Sequence, residues 1–224
     1  MNKVRYNLVD EIRGFAIILM IIFHFFYDLN TLNFIKIDFA QDPFWWVFPR
    51  VIVFLFFLSV GLALPLAHTP KIKWNKFWVR FLKVAGFAIL ISLVTYFLFP
   101  DRWVYFGTLH SIAICSLFAL PFLKLPKVGL LIFLALAIPS TFFNLDIPWI
   151  VLHGLSMDYI SPFPWIGVVT LGIFFFHKNF HKIDLGDGLL LRPLRFMGKH
   201  SLVIYVIHQP LIFGSLFLLS KLIS

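Results

Sequence analysis

Arg13–Asp28 reads RGFAIILMIIFHFFYD, an apolar run interrupted by a guanidinium, an imidazole and a carboxylate. Hydrocarbon is an expensive place for ionisable groups, so those found there face a polar interior and usually have a task. Helical arithmetic sharpens the point. Eleven steps of about 100° separate Arg13 from His24, which comes within roughly 20° of three full turns and puts both on one face, about 16 Å apart along the axis. Asp28 follows His24 by one turn, and Asp10 precedes Arg13 by three residues. The four form one polar stripe and predict the wall of a water-accessible shaft.

The rest of the chain sets the environment of that stripe. It has 224 residues, 61% hydrophobic and only 13% charged, with 30 Phe and a mean hydropathy of +0.93. A soluble domain of this size needs far more surface charge. Several apolar runs approach the ~20 residues that cross a bilayer. The expected fold class is all-α: a polytopic membrane bundle of about seven spans at 14–32, 46–67, 84–99, 108–123, 128–143, 164–176 and 201–219. The first is interrupted by His24 and Asp28; the sixth is short and opened by Pro162 and Pro164. No repeat, low-complexity tract or composition shift divides the chain, so one membrane-embedded domain over 1–224 is expected.

Basic residues set the expected orientation. With the amino terminus in the cytoplasm, 15 of the 19 Lys and Arg fall on inner segments, and only Lys36, Arg50, Arg102 and Lys221 lie outside. That obeys the positive-inside rule, and Trp45, Trp46, Trp103, Trp149 and Trp165 gather near the outer boundaries. The net charge of +9 is therefore a topology signal. Nucleic-acid binding is excluded as a reading, because the cations are dispersed over loops. Cys115 is the only cysteine, which rules out disulfides and cysteine metal clusters. The first span lacks a small-residue cleavage site and is expected to be retained. Within the irregular segment 144–161, IPWIVLHGL is expected to lie along the interface as a short helix.

Three spans supply candidate chemistry. His24 and Asp28 are one turn apart, a spacing at which side chains touch, so the carboxylate is expected to fix the imidazole tautomer. The competing reading is a structural histidine bonded to a neighbouring helix. Asp10 and Arg13, taken alone, read as an anchoring pair at the headgroups. His110 lies in the first turn of the fourth span, flanked by Thr108 and Ser111. In the last span Ser201, Tyr205 and His208 share a face, with Gln209 adjacent and Pro210 breaking the backbone ladder. Hydrogen-bonded packing is an equally good reading of Ser201 and Tyr205. His68, His177 and His181 have no ligand-like spacing, and no HxxxH or HExxH pair exists, so no metal is expected.

At these residues the chain resembles a known family. VDEIRGFAIILMIIFHFFYDL, FPRVIVFLFFLSVGLAL, YFGTLHSIAI and GKHSLVIYVIHQP, in that order over nearly the whole chain, resemble the heparan-α-glucosaminide N-acetyltransferase-like membrane proteins of prokaryotes. The Arg-x10-His spacing is similar to the signature of the acyltransferase-3 membrane acyltransferases. The resemblance implies a multi-pass protein of a prokaryotic plasma membrane. It implies transfer of an acyl group, usually acetyl, from cytoplasmic acyl-CoA to a sugar hydroxyl or amine across the membrane. The motif arginine would help place CoA and the motif histidine would serve the transfer. Two departures stand out: the spans are fewer than in the larger relatives, and residues 30–45 hold no loop histidine of the kind favoured as catalytic in lysosomal relatives.

A thioester is already activated, so the catalyst must deprotonate the acceptor and steady an oxyanion. The expected assignment makes His24, oriented by Asp28, the general base, with His110 or His208 as a second proton handler. Arg13, beside Asp10, together with Lys71, Lys73 and Lys199, would engage the CoA phosphates, since Arg suits phosphate by its fork geometry. The partners expected are membrane lipid and a glycan or glycolipid acceptor; the Phe-rich faces suit lipid and a second subunit equally well, leaving an oligomer open. The alternative reading is a small proton-coupled transporter or channel in which His24 and Asp28 exchange protons. Paired repeats, common in transporters, are not visible.

Overall fold

The computed structural model describes residues 6–143, 145, 147–152 and 156–223. Eight α-helices and two 3₁₀ turns form it, with no strand among the described residues. In chain order they are α1 Asn7–Thr31, α2 Pro43–His68, α3 Trp74–Leu98, α4 Thr108–Phe118, α5 Pro126–Phe143, α6 Trp165–His177, α7 Leu191–Lys199 and α8 Ser201–Ile223. Five of them (α1, α2, α3, α5, α8) are long and apolar enough to cross a membrane, and α4 and α6 are shorter apolar helices. The chain is thus a polytopic membrane helical bundle, as the hydropathy pattern implies.

The boundaries differ from the expected spans in informative ways. α3 begins at Trp74, ten residues before the expected start at 84, so Lys76, Arg80 and Lys83 ride on a helix. Long aliphatic stems let these cations reach the interface from a helical position. The fourth span stops at Phe118 and tightens into a 3₁₀ turn over Leu120–Lys124, because Pro121 and Pro126 cannot continue an α-helical ladder. α7 is an additional short helix. Ile147–Leu152 is irregular where a short interfacial helix was expected; His153, Gly154 and Leu155 of that motif lie outside the described residues, as do Lys3 and Arg5.

The chain forms two compact units, Met1–Phe56 with Asp184–Ser224, and Phe57–Ile183. In the first, α1 is held by α7 and α8. The α1–α7 crossing depends on two glycines: a Cβ on Gly14 would overlap the Leu194 carbonyl, and one on Gly198 would overlap the Asp10 carbonyl. Absent side chains let the backbones touch, as in membrane helix pairs generally. Arg195 locks the crossing. Its Nε donates to Glu11 Oε1 at 2.6 Å, its Nη1 to Asp187 Oδ1 at 2.5 Å, and its Nη2 to the Gly186 carbonyl. The hydrogen bonds to Glu11 and then Asp187 hold the guanidinium above its ordinary pKa.

The second unit uses the same device. A Cβ on Gly61 of α2 would overlap the Val169 carbonyl, and one on Gly172 of α6 would lie 2.6 Å from the Leu58 carbonyl. Thr170 Oγ1, fully buried, donates to the Gly129 carbonyl of α5 at 2.9 Å. His177 Nε2 reaches the Leu123 carbonyl at 2.8 Å.

Candidate functional site

Helical spacing brings four polar side chains together in the first unit. α1 presents His24 and Asp28 one turn apart, and α8 presents His208 and Gln209 opposite them. The His24 and His208 rings meet edge to face, centroids 4.9 Å apart. Gln209 Nε2 donates to both oxygens of Asp28, at 2.9 and 3.1 Å. Asp28 is therefore engaged by Gln209, and among the described residues no hydrogen bond joins it to His24. This corrects the expected His24–Asp28 pair: the carboxylate is engaged by the Gln209 amide nitrogen of α8, which reaches both of its oxygens.

The orienting partner belongs to the other histidine. His208 Nδ1 lies 2.7 Å from the Tyr205 carbonyl. A carbonyl only accepts, so Nδ1 carries the proton and Nε2 is left with its lone pair. That Nε2 is buried without a hydrogen-bond partner, as are His24 Nδ1 and Gln209 Oε1. Buried polar atoms are nearly always satisfied in folded proteins, so these three atoms on two contacting helix faces set this spot apart from the apolar packing around it. Pro210 follows directly and lacks the N–H that would have bonded Val206, a second interruption of polar satisfaction on the same turn. Phe23 flanks His24 at 5.5 Å and joins Tyr27, Phe39, Trp45 and Phe48 in one aromatic cluster.

The expected open shaft from Arg13 to His24 is not formed. α1 is continuous, so both residues do share a face. Ile17, fully buried, and Met20, 3% exposed, occupy that face between them. Apolar packing there excludes a polar conduit along α1. Arg13 instead lies 4.0 Å from Asp10, and the neighbouring turn is covered by α7. Lys199 follows Gly198, which packs directly on the Asp10 backbone, so the chain brings this exposed lysine to the Arg13 end of α1.

His110, Lys71 and Lys73 belong to the second unit. Both ring nitrogens of His110 are occupied: Nδ1 accepts the Gly107 N–H at 3.1 Å, and Nε2 lies 3.2 Å from Ser92 Oγ, whose proton goes to the Val104 carbonyl at 2.6 Å. The ring thereby accepts the N-cap N–H at the start of α4, where Gly107 has no side chain to return a bond. Asp158 completes that cap by accepting from Thr108 N–H at 2.9 Å. The expected second proton handler is therefore a structural histidine in this arrangement. Lys71 and Lys73 are exposed, and the Lys73 N–H points to His68 Nδ1 at 3.4 Å.

Two groups of residues carry no clear signal in the sequence. Glu11 and Arg195 are far apart in the chain and carry no motif; only the buried ion pair joins them. Gln209 reads in the sequence only as a neighbour of His208, though a glutamine inside a spanning helix is itself a signal of a polar partner.

An all-helical bundle with a histidine pair enclosed between two spanning helices defines a polytopic membrane protein. The model of the family described as heparan-alpha-glucosaminide N-acetyltransferase, catalytic, matches residues 5–210. The chain belongs to that family and is an N-acetyltransferase-type membrane enzyme. No curated protein and no solved structure matches it.

Proposed function

We propose that the protein moves an acetyl group from acetyl-CoA to a hydroxyl or amine of a glycan or glycolipid, with His208 as general base and His24 as its proton partner. The observation that carries this reading is the open Nε2 of His208, buried beside His24 while its Nδ1–H is held by the Tyr205 carbonyl. The acceptor oxygen or nitrogen attacks the thioester carbonyl, and its proton passes to Nε2. The new C–O or C–N bond forms as the C–S bond breaks, and the imidazolium returns the proton to the CoA thiolate. A base positioned in this way is worth roughly 10²–10⁴ in rate. Asp28 and Gln209 position α8 against α1 and present Gln209 Oε1 towards the reacting groups.

In this reading the amino terminus lies in the cytoplasm of a prokaryotic cell, where Arg13 and Lys199 of the first unit meet the CoA phosphates. Because Ile17 and Met20 fill the α1 face, the pantetheine arm approaches the histidines by another path or after these side chains move. Direct transfer and an acyl-histidine intermediate both satisfy the same balance of atoms.

The experiment is CoA release from acetyl-CoA by the purified protein in lipid nanodiscs, with and without glucosamine as acceptor. Acceptor-dependent release in the wild type, lost in His208→Ala with CoA binding retained, supports the assignment. Wild-type rates in His208→Ala end it. Proton-coupled solute uptake with no response to acetyl-CoA would turn the reading to a carrier.

A further inference from the structure

Asn75, Lys76, Val79, Arg80 and Lys83 line an open cleft of about 430 Å³ on the first turns of α3. Steps of four and three residues keep Lys76, Arg80 and Lys83 within about 60° of one another, over roughly 10 Å of helix. No carboxylate lies within ion-pair distance of any of the three among the described residues. Three aligned cations around one cleft repel each other until an anion sits between them. Arg80 supplies a planar fork that suits phosphate oxygens, and the lysines add point charges.

The same helix face changes character beyond Lys83. Phe87, Leu90 and Val94 continue within about 40° of Lys76. Phe87 is half-buried, Leu90 and Val94 are exposed, and a Cβ added to the neighbouring Gly86 would meet nothing within 4 Å. From Lys83 to Val94 is about 16 Å, close to half of a ~30 Å hydrocarbon core. Exposed Trp74 and Trp78 sit at the level of the cations, where indoles mark the headgroup layer. We infer that this face of α3 holds one anionic phospholipid, its phosphate in the Lys76–Arg80–Lys83 cleft and an acyl chain along the Phe87–Leu90–Val94 strip. The strip is what selects a lipid over a soluble phosphate, which has nothing to place there.

Native mass spectrometry of the full chain in detergent, with added phosphatidylglycerol or phosphatidylcholine, tests it. One phosphatidylglycerol should stay bound where phosphatidylcholine does not, and Lys76→Gln/Arg80→Gln/Lys83→Gln should weaken retention at least tenfold. Removing the same charge elsewhere, by Lys124→Gln/Lys127→Gln/Lys182→Gln, should leave retention within threefold. Equal loss in both triple variants, or equal retention of phosphatidylcholine, overturns the site in favour of a diffuse basic field. Displacement of the lipid by equimolar CoA or inorganic phosphate overturns it in favour of a soluble phosphate. If the triple variant does not fold, Arg80→Gln alone should lower retention at least threefold and Arg80→Lys less; no change in Arg80→Gln sinks the proposal.

Discussion

Gln209 Nε2 on α8 donates to the carboxylate of Asp28 on α1, reaching both of its oxygens, at 2.9 and 3.1 Å. Asp28 is 2% exposed, so this amide is its replacement for water. The pair ties the two helices together within one turn of the histidines.

Removing the amide while keeping its bulk isolates that tie. Gln209→Leu leaves a buried carboxylate without its donors, and a lost partner of this kind costs about 1–3 kcal/mol. We expect a lower melting temperature in nanodiscs, with Gln209→Asn intermediate. An unchanged melting temperature in Gln209→Leu would show that the pair does not hold the helices.

His208 and His110 should separate by what they disturb. His208→Ala should lower acetyl transfer by roughly 10²–10⁴ with little change in melting temperature. His110→Ala should chiefly destabilise, by about 1 kcal/mol for a lost cap, with transfer by the folded protein falling far less. Comparable activity losses at both positions would return His110 to the reaction.

The α1–α7 crossing predicts an asymmetry among the partners of Arg195. Arg195→Ala strips Glu11, which is buried and whose Oε2 already lacks a partner. Asp187→Ala removes a side chain that is 84% exposed and water can replace. The melting temperature should fall much further in the first variant. Gly14→Val should act like Arg195→Ala, because overpacking forces the two backbones apart at about 1–3 kcal/mol.

His181 stacks on Phe176 with centroids 4.3 Å apart, outside the spanning helices. Desolvation by burial is the largest cause pulling its pKa below the ordinary 6.5, against a raising bond to the Phe176 backbone. A lowered folded-state value means that the unfolded chain binds the proton more readily, so this contribution to stability is full above pH 6.5 and is lost as pH falls through the window below it. Melting temperatures at about pH 7.5 and about pH 5.5, on either side of the ordinary histidine value, should differ more for the wild type than for His181→Phe. Identical pH dependence in both would dismiss the stacked ring as a source.

Much of the architecture was legible because lipid imposes a simple rule. A spanning segment must be apolar and must satisfy its own backbone, so runs such as 128–143 and 201–219 announce helices from composition alone. Periodicity likewise put Arg13 and His24 on one face, which the continuous α1 keeps. The family was legible for the same reason, since its motifs lie on those helices and the family model covers residues 5–210.

Partnership was not legible. Spacing says that Asp28 can reach His24, but a one-helix argument cannot see that Gln209, 181 residues later in the chain, brings its amide nitrogen to both carboxylate oxygens. Nor can it see Ile17 and Met20 filling the face between Arg13 and His24, or the bonds that occupy both nitrogens of His110. The sequence by itself determined the membrane class, the apolar spanning helices, the face each polar residue occupies on them and the family. Which polar groups meet, which are left open and where a passage is blocked were decided by the tertiary structure alone, because hydrogen bonds and close packing act over a few ångströms between segments whose proximity no local pattern encodes.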